Sequence, residues 1–465
     1  MSVNKDQRSG AAMTLEMLQD EYKKNNPASF EAYKKACCDI PGGITANIKF
    51  FEPFPLFMKE GHGAWLTDLD GHRYVDYVLS YGPLILGHGR KEIFDSVRRY
   101  IDVHGTALYG TPHELEYIFA EKIKDHFPGI ELLRYTNSGT EATLLCIRTA
   151  YAYTGKYKIA KFEGHYHGGY NEVLVSVNPD VGKAGDPRRP IPIPESRGLS
   201  DKNLEDTVVL PFNDLEACTE ILTGQKDEIA AVIMEPVFGG TIPAAKEFMT
   251  GIRELTARLG ILMIMDEVKT GFRVSLGGAQ EYYHLKPDLT ALGKVIGAGF
   301  PIGIVGGRKD IMSMAAPQGS DIFDHSNTAG AADVLYHSGT YNGHPLILNA
   351  GLETIRILER EFDSLLERTE RLKQGIRSIY AEHGIHVLTP GLGSMFNVVI
   401  SELDDIKTYR DLQKSDFITR KKADYALLTE GIYNKPCNRY NMCTAHTDDM
   451  IDITLEAYEK ALKKI

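Results

Sequence analysis

Two periods of apolar residues run along this chain, and the places where one gives way to the other divide it. Residues 14 to 37 carry apolar side chains at helical spacing in a polar background, which predicts helix. The stretch DIPGGITANIKFFEPFPLFMKEGHGAWLTDLDGHRYVDYV then breaks into short alternating runs punctuated by proline and glycine. It reads as an arm feeding a small antiparallel sheet with a turn at Asp70-Gly71. From about residue 90, helical patterns such as KEIFDSVRRYIDVHG and TEATLLCIRTAYAYTG alternate with the short apolar runs ELLRYT, KIAKF, IAAVIMEP, GILMIMDEV and PIGIVGG. Such alternation, with runs that stay apolar on both faces, predicts an α/β region built on a mostly parallel, buried sheet.

After Gly343 the pattern changes again, to amphipathic helices over 344 to 360 and 362 to 382, an apolar SMFNVVIS, and two further helices. The expected division is therefore 1–85 for the N-terminal helix, arm and small sheet, 86–343 for a large α/β domain, and 344–465 for an α+β C-terminal domain. Two segments lack periodicity. PDVGKAGDPRRPIPIPESRGLSD reads as a loop that either covers a site or moves freely, and PQGSDIFDHSNTAGAADVLYHSG is similarly irregular. There is no internal repeat.

Composition narrows the functional classes. A chain of 465 residues with 43% hydrophobic side chains can bury a large core. Its 52 basic and 63 acidic residues give a net charge of -11, so no global basic field draws in nucleic acid or an anionic membrane. An anionic ligand would need a local site. No signal-peptide core opens the sequence, and no run approaches the roughly 20 apolar residues that span a bilayer, so a cytoplasmic location is expected. The six cysteines, Cys37, Cys38, Cys146, Cys218, Cys437 and Cys443, show no CxxC spacing and read as reduced thiols. The dense GHYHGG has no accompanying HExxH or Cys/His set, so no metal is expected.

Chemistry concentrates in the α/β region. Lys294 stands in the apolar, glycine-rich DLTALGKVIGAGFPIG. It could extend its head to solvent, occupy a surface loop, or serve as a neutral amine that attacks a carbonyl. In RYTNSGTEA, small residues at a strand-to-helix turn can surround an anion, while Ser138 or Thr140 can equally be an ordinary N-cap. Tyr166 in KFEGHYHGG can stack on a flat ligand or pack on a neighbouring loop. Asp266 closes the apolar LMIMD; its desolvated carboxylate needs a partner, whether a protonated ring nitrogen, Arg273 or a helix N-terminus. Together these supply an anion cradle, a stacking ring, a buried carboxylate and a neutralisable lysine, the parts that hold pyridoxal 5'-phosphate.

The motifs PGGITANIKFFEPFP, DLDGHRYVDYVLSYGPLILGH, NSGTEA, KFEGHYHGG, IMEPV, MDEVKTGFR, PDLTALGKVIGAGFPIGIVGGR and HSGTYNGHP resemble those of class III pyridoxal-phosphate aminotransferases of fold type I. Within that class the sequence is most similar to the glutamate-1-semialdehyde 2,1-aminomutase branch and related β-amino-acid aminotransferases. The resemblance implies a large domain with a seven-stranded sheet, Lys294 as the Schiff-base lysine and Asp266 holding the pyridinium nitrogen. It implies that Val268 and Tyr166 bracket the ring, that Ser138, Gly139 and Thr140 hold the phosphate, and that Glu235 belongs to the cofactor site. Thr340 would reach the phosphate of a neighbouring subunit, making a homodimer with shared active sites.

The likeness thins on the substrate side. Aminomutases usually read SWGPLILGH, PGGVNSPVR and EPVAGN, with a glutamate in a C-terminal FEAGF stretch. This chain has Tyr81 for the tryptophan, Lys49 for the arginine, Gly240 at the end of EPVFGG, and Asn438 near the glutamate position. An arginine-to-lysine exchange loses the bidentate fork, so Lys49 and Arg439 become candidates for a substrate carboxylate. The expectation is intermolecular transfer between an amino donor and a keto acceptor. The alternatives are the aminomutase, a racemase or decarboxylase on the same fold, and a non-catalytic binding protein.

Overall fold

The computed structural model describes residues 12–317 and 335–465. Most of the irregular stretch that precedes HSGTYNG lies outside the described residues. Two helices, α1 (Leu15–Asn25) and α2 (Pro27–Asp39), open the chain, with Pro27 at the first turn of the second. Strands β1 (Met58–His62), β2 (Trp65–Asp68) and β3 (Arg73–Asp76) form the expected antiparallel sheet. Ile432–Tyr433, from the far end of the sequence, pairs parallel to β3 as a fourth strand.

Helices α3 (Lys91–His104) and α4 (Glu114–His126) lead into a seven-stranded sheet. In chain order the strands are β4 (Leu132–Thr136), β5 (Lys158–Phe162), β8 (Thr207–Leu210), β9 (Ile229–Met234), β12 (Leu262–Asp266), β13 (Leu289–Gly293) and β14 (Gly303–Gly307). The numbers between belong to two hairpins, β6 (Gly185–Asp186) with β7 (Arg189–Pro190), and β10 (Val237–Phe238) with β11 (Ile242–Pro243). Across the sheet the order is β4-β14-β13-β12-β9-β5-β8. Only β14 runs antiparallel to its neighbours. β9, β12 and β13 are buried along their whole length, which is why they read as unbroken apolar runs.

Register brings the strand ends together. Gly303 lies opposite both Thr136 and Gly293, and Asp266 lies opposite Ala291. The chain leaves β4, β12 and β13 at one edge, so residues 138, 266 and 294 meet although well over a hundred positions separate the first from the last. Helix α5 (Gly139–Thr154) starts from this edge.

The pair of helices expected over 344 to 360 and 362 to 382 is one helix, Pro345–Glu382, of 38 residues. No proline or glycine stands near residue 361 to break it, and its apolar face packs continuously from Ile347 to Tyr380. The same cluster includes Phe119, Leu292, Val295 and Ile296, so this helix backs the turn that carries Lys294. The proline-rich segment is anchored: Tyr409 Oη donates to the Pro179 carbonyl at 2.8 Å, and Arg410 Nη1 to that of Gly185 at 2.8 Å. Among the described residues no helix is long and apolar enough to cross a membrane.

Candidate active site

At the end of β13 the chain enters a tight turn, Lys294–Gly297, in which Lys294 takes φ 48°. A side chain held in the left-handed region costs on the order of 1–3 kcal/mol, and such strain gathers at functional sites. Lys294 is half-buried. Desolvation holds its ammonium below the usual lysine range, against the opposing pull of Asp266 and Glu235.

Asp266 ends β12 and is buried. One carboxylate oxygen, Oδ1, accepts from the Val268 amide at 3.0 Å; the other, Oδ2, lies 2.8 Å from His167 Nδ1. A carboxylate only accepts, so Nδ1 carries the hydrogen. Arg273 is not its partner. That guanidinium is fully buried elsewhere, donating to the carbonyls of Gly82 and Met442 and to Ser394 Oγ. It clamps a backbone run, Leu79 to Gly82, in which four successive residues have positive φ.

The turn after β5 gives its successive side chains opposite surroundings. His165 and His167 are buried, whereas Tyr166 between them is 52% exposed. The Tyr166 amide donates to Glu235 Oε2 at 3.0 Å, and the Glu235 amide donates to His165 Nδ1 at 3.0 Å. Glu235 is itself buried, and desolvation raises its carboxyl above the usual range.

Ser138 caps α5, its Oγ accepting from the Glu141 amide at 3.1 Å. Ser138, Gly139 and Thr140 are half-buried, so the first turn of this 16-residue helix is only partly covered by packed protein. A Cβ at Gly139 would stand 2.5 Å from Val268 Cγ1. Glycine is required there for the helix start to meet the side chain that follows Asp266 so closely.

Residues 49–462 match the family model described as aminotransferase class-III. The chain belongs to the class III aminotransferase family. Glutamate-1-semialdehyde 2,1-aminomutase of Natranaerobius thermophilus is 39% identical over 447 residues, covering 94% of this chain and 98% of the relative. Among solved structures, an omega-transaminase from Sphaerobacter thermophilus superposes with a TM-score of 0.87 at 33% identity, covering 95% of this chain and 99% of the other. A β-phenylalanine aminotransferase from Variovorax paradoxus gives 0.82 at 31%, covering 96% of each.

For this class III enzyme the substrate-side candidates scatter more than the cofactor-side ones. Lys49 is exposed, and its Nζ donates to Thr45 Oγ1 at 2.7 Å. Tyr81, in the strained run, donates its hydroxyl to the Ile48 carbonyl at 2.8 Å. Asn438 is buried with its Nδ2 unpartnered. Arg439 is half-buried and donates through Nε to the Gly239 carbonyl. Thr340 is exposed, two residues from Asn342, whose Oδ1 accepts from Asn137 at 3.0 Å beside the start of α5.

Two residues of the site escaped the sequence reading. His167 stood in a quoted motif, but nothing in the spacing told which of three adjacent rings turned inward. Lys269, three positions after Asp266, reads as a solvated charge on a turn; it is half-buried beside Gly239 and Gly240.

Proposed function

We propose that this protein is an intermolecular aminotransferase that uses pyridoxal 5'-phosphate to move an amino group between an amino acid or amine and a keto acid. The observation that carries the reading is the convergence of Lys294, Asp266 with His167, Val268 and the start of α5 on one edge of the sheet. The residues fit the cofactor. The half-buried first turn of α5 is a seat for its phosphate, Val268 and the open face of Tyr166 can bracket a flat ring, and buried Asp266 can pair with a ring nitrogen. When bound, the cofactor supplies an aldehyde carbon and an electron-withdrawing ring.

The chain's own groups do the rest. Asp266, oriented by His167, presents its carboxyl oxygens at the site that would receive a protonated ring nitrogen. Lys294 Nζ, held below its ordinary pKa by desolvation, is available as a nucleophile and then as a base that carries a proton from the substrate carbon. Tyr166 and Val268 exclude water from the ring faces. Exposed Thr340 is assigned to the phosphate seat of a second copy, which makes a homodimer the working assembly. Six unpaired cysteines, two of them exposed, fit a reducing compartment, and we place the enzyme in the cytoplasm.

The aminomutase is the second reading, because the Natranaerobius relative bears that name. Against it stands the substrate side. Where the aminomutase pattern has an arginine this chain has Lys49, exposed and bound to Thr45, and the changes at Tyr81, Gly240 and Asn438 accompany it. An aminotransferase releases a keto product before its acceptor binds. An amino donor alone is expected to bleach the cofactor band and release one keto product per active site, and a keto acid then to restore the band. Efficient conversion of glutamate-1-semialdehyde to 5-aminolevulinate without donor or acceptor would replace this reading by the aminomutase.

A further inference from the structure

The hairpin of β10 and β11 turns through Gly239 and Gly240, both with positive φ. Two cations converge on this turn from distant parts of the sequence. Lys269 Nζ donates to the Gly239 carbonyl at 3.3 Å, and Arg439 donates to the same oxygen through Nε. A Cβ on Gly240 would stand 2.7 Å from both Cε and Nζ of Lys269, so the amine occupies the space a side chain there would fill. A Cβ on Gly239 would stand 3.0 Å from Arg439 Nη2. The paired glycines are what let both heads reach one carbonyl.

One neutral oxygen cannot balance two cations. Among the described residues neither Lys269 nor Arg439 has an ion-pair partner, and the two terminal nitrogens of Arg439 have no hydrogen-bond acceptor. Two other lysines, Lys49 and Lys435, are occupied, on Thr45 and on the Ile48 carbonyl. Cations withdrawn from water are costly, and the buried Glu235 carboxyl, which acts on both, is hydrogen-bonded to neither, so an arriving anion can pair with them directly.

The geometry points to Lys269 and Arg439 as a joint seat for a substrate carboxylate, with Lys269 the residue that selects carboxylate-bearing substrates over plain amines. This deepens the aminotransferase reading and rests on it. The arrangement suits a carboxylate: a fork with two free N–H ends on Arg439, and an ammonium that can pivot from the Gly239 carbonyl onto the second oxygen. Burial, Arg439 and Lys294 all hold the Lys269 ammonium below its usual range, while Glu235 opposes them, so an arriving anion would favour its charged form.

The test compares two reagents that capture the same cofactor aldehyde and differ in one group, aminooxyacetate with a carboxylate and methoxyamine without. Their rates of bleaching the visible band of the holoenzyme are measured for wild type, Lys269→Met and Lys269→Arg. In Lys269→Met the aminooxyacetate rate is expected to fall about tenfold or more, the value of one charged hydrogen bond, with the methoxyamine rate little changed. Lys269→Arg is expected to recover most of the difference. A Lys269→Met enzyme that keeps the wild-type ratio of the two rates, whether or not both rates fall, overturns the inference. A wild-type protein with no visible band to bleach overturns the aminotransferase reading itself, and this inference with it.

Discussion

A buried imidazole and a buried carboxylate face each other at Asp266. Removing one member of such a pair leaves the other buried without its hydrogen-bond partner, a loss of about 1–3 kcal/mol. Asp266→Ala is therefore expected to weaken cofactor binding and to lower turnover on the order of 100-fold, with the retained cofactor read by absorbance after gel filtration. Wild-type turnover in that variant would show that the ring nitrogen is held elsewhere. Lys294→Ala is expected to keep the fold and the phosphate seat but to lose turnover by about a thousandfold, the worth of a proton-transferring group. Circular dichroism beside a steady-state assay separates these effects. Lys294 and Asp266 were legible in the sequence because each is a charge interrupting a buried apolar run. His167 and Lys269 were not, because the direction of a side chain in a turn depends on backbone angles that residue type does not fix.

At Gly351 the long helix Pro345–Glu382 packs against the turn that begins at Lys294. A Cβ there would stand 2.4 Å from the Ile296 carbonyl and 2.8 Å from the Phe119 ring. Gly351→Ala thus forces apart the helix and the Lys294–Gly297 turn. Overpacking of this kind costs about 1–3 kcal/mol, so a lower thermal midpoint and reduced activity are expected together. Unchanged values for both would mean that the helix does not position the turn. Five of the seven strands were legible as apolar runs; β8, four residues at one edge, was too short to stand out, and β13 lay within the glycine-rich run around Lys294. The helix was misread as two because its amphipathic pattern is easier to see in pieces than across 38 residues. The fourth strand of the small sheet, Ile432–Tyr433, could not have been found by local pattern, since two residues carry no period.

Across the folded chain, the large sheet buries one lysine completely. Lys161 on β5 is fully buried; its Nζ donates to the Val175 carbonyl at 2.6 Å, and burial brings it down to about 7. Because this lies below the ordinary 10.5, the unfolded chain holds the extra proton at every pH between the two values. Stability from this group therefore rises with pH across that window and is constant below about 7. Lys161→Met is expected to remove the slope. The difference in thermal midpoint, wild type minus variant, should increase from pH 7.5 to pH 9.5, and an unchanged difference would show that Lys161 stays charged inside. The central claim concerns the holoenzyme and a different lysine, Lys294, and it is tested most directly by borohydride reduction followed by peptide mapping. The account predicts a yellow protein in which reduction fixes the cofactor to Lys294 alone. Label on Lys269, on Lys161 or on no lysine would contradict it.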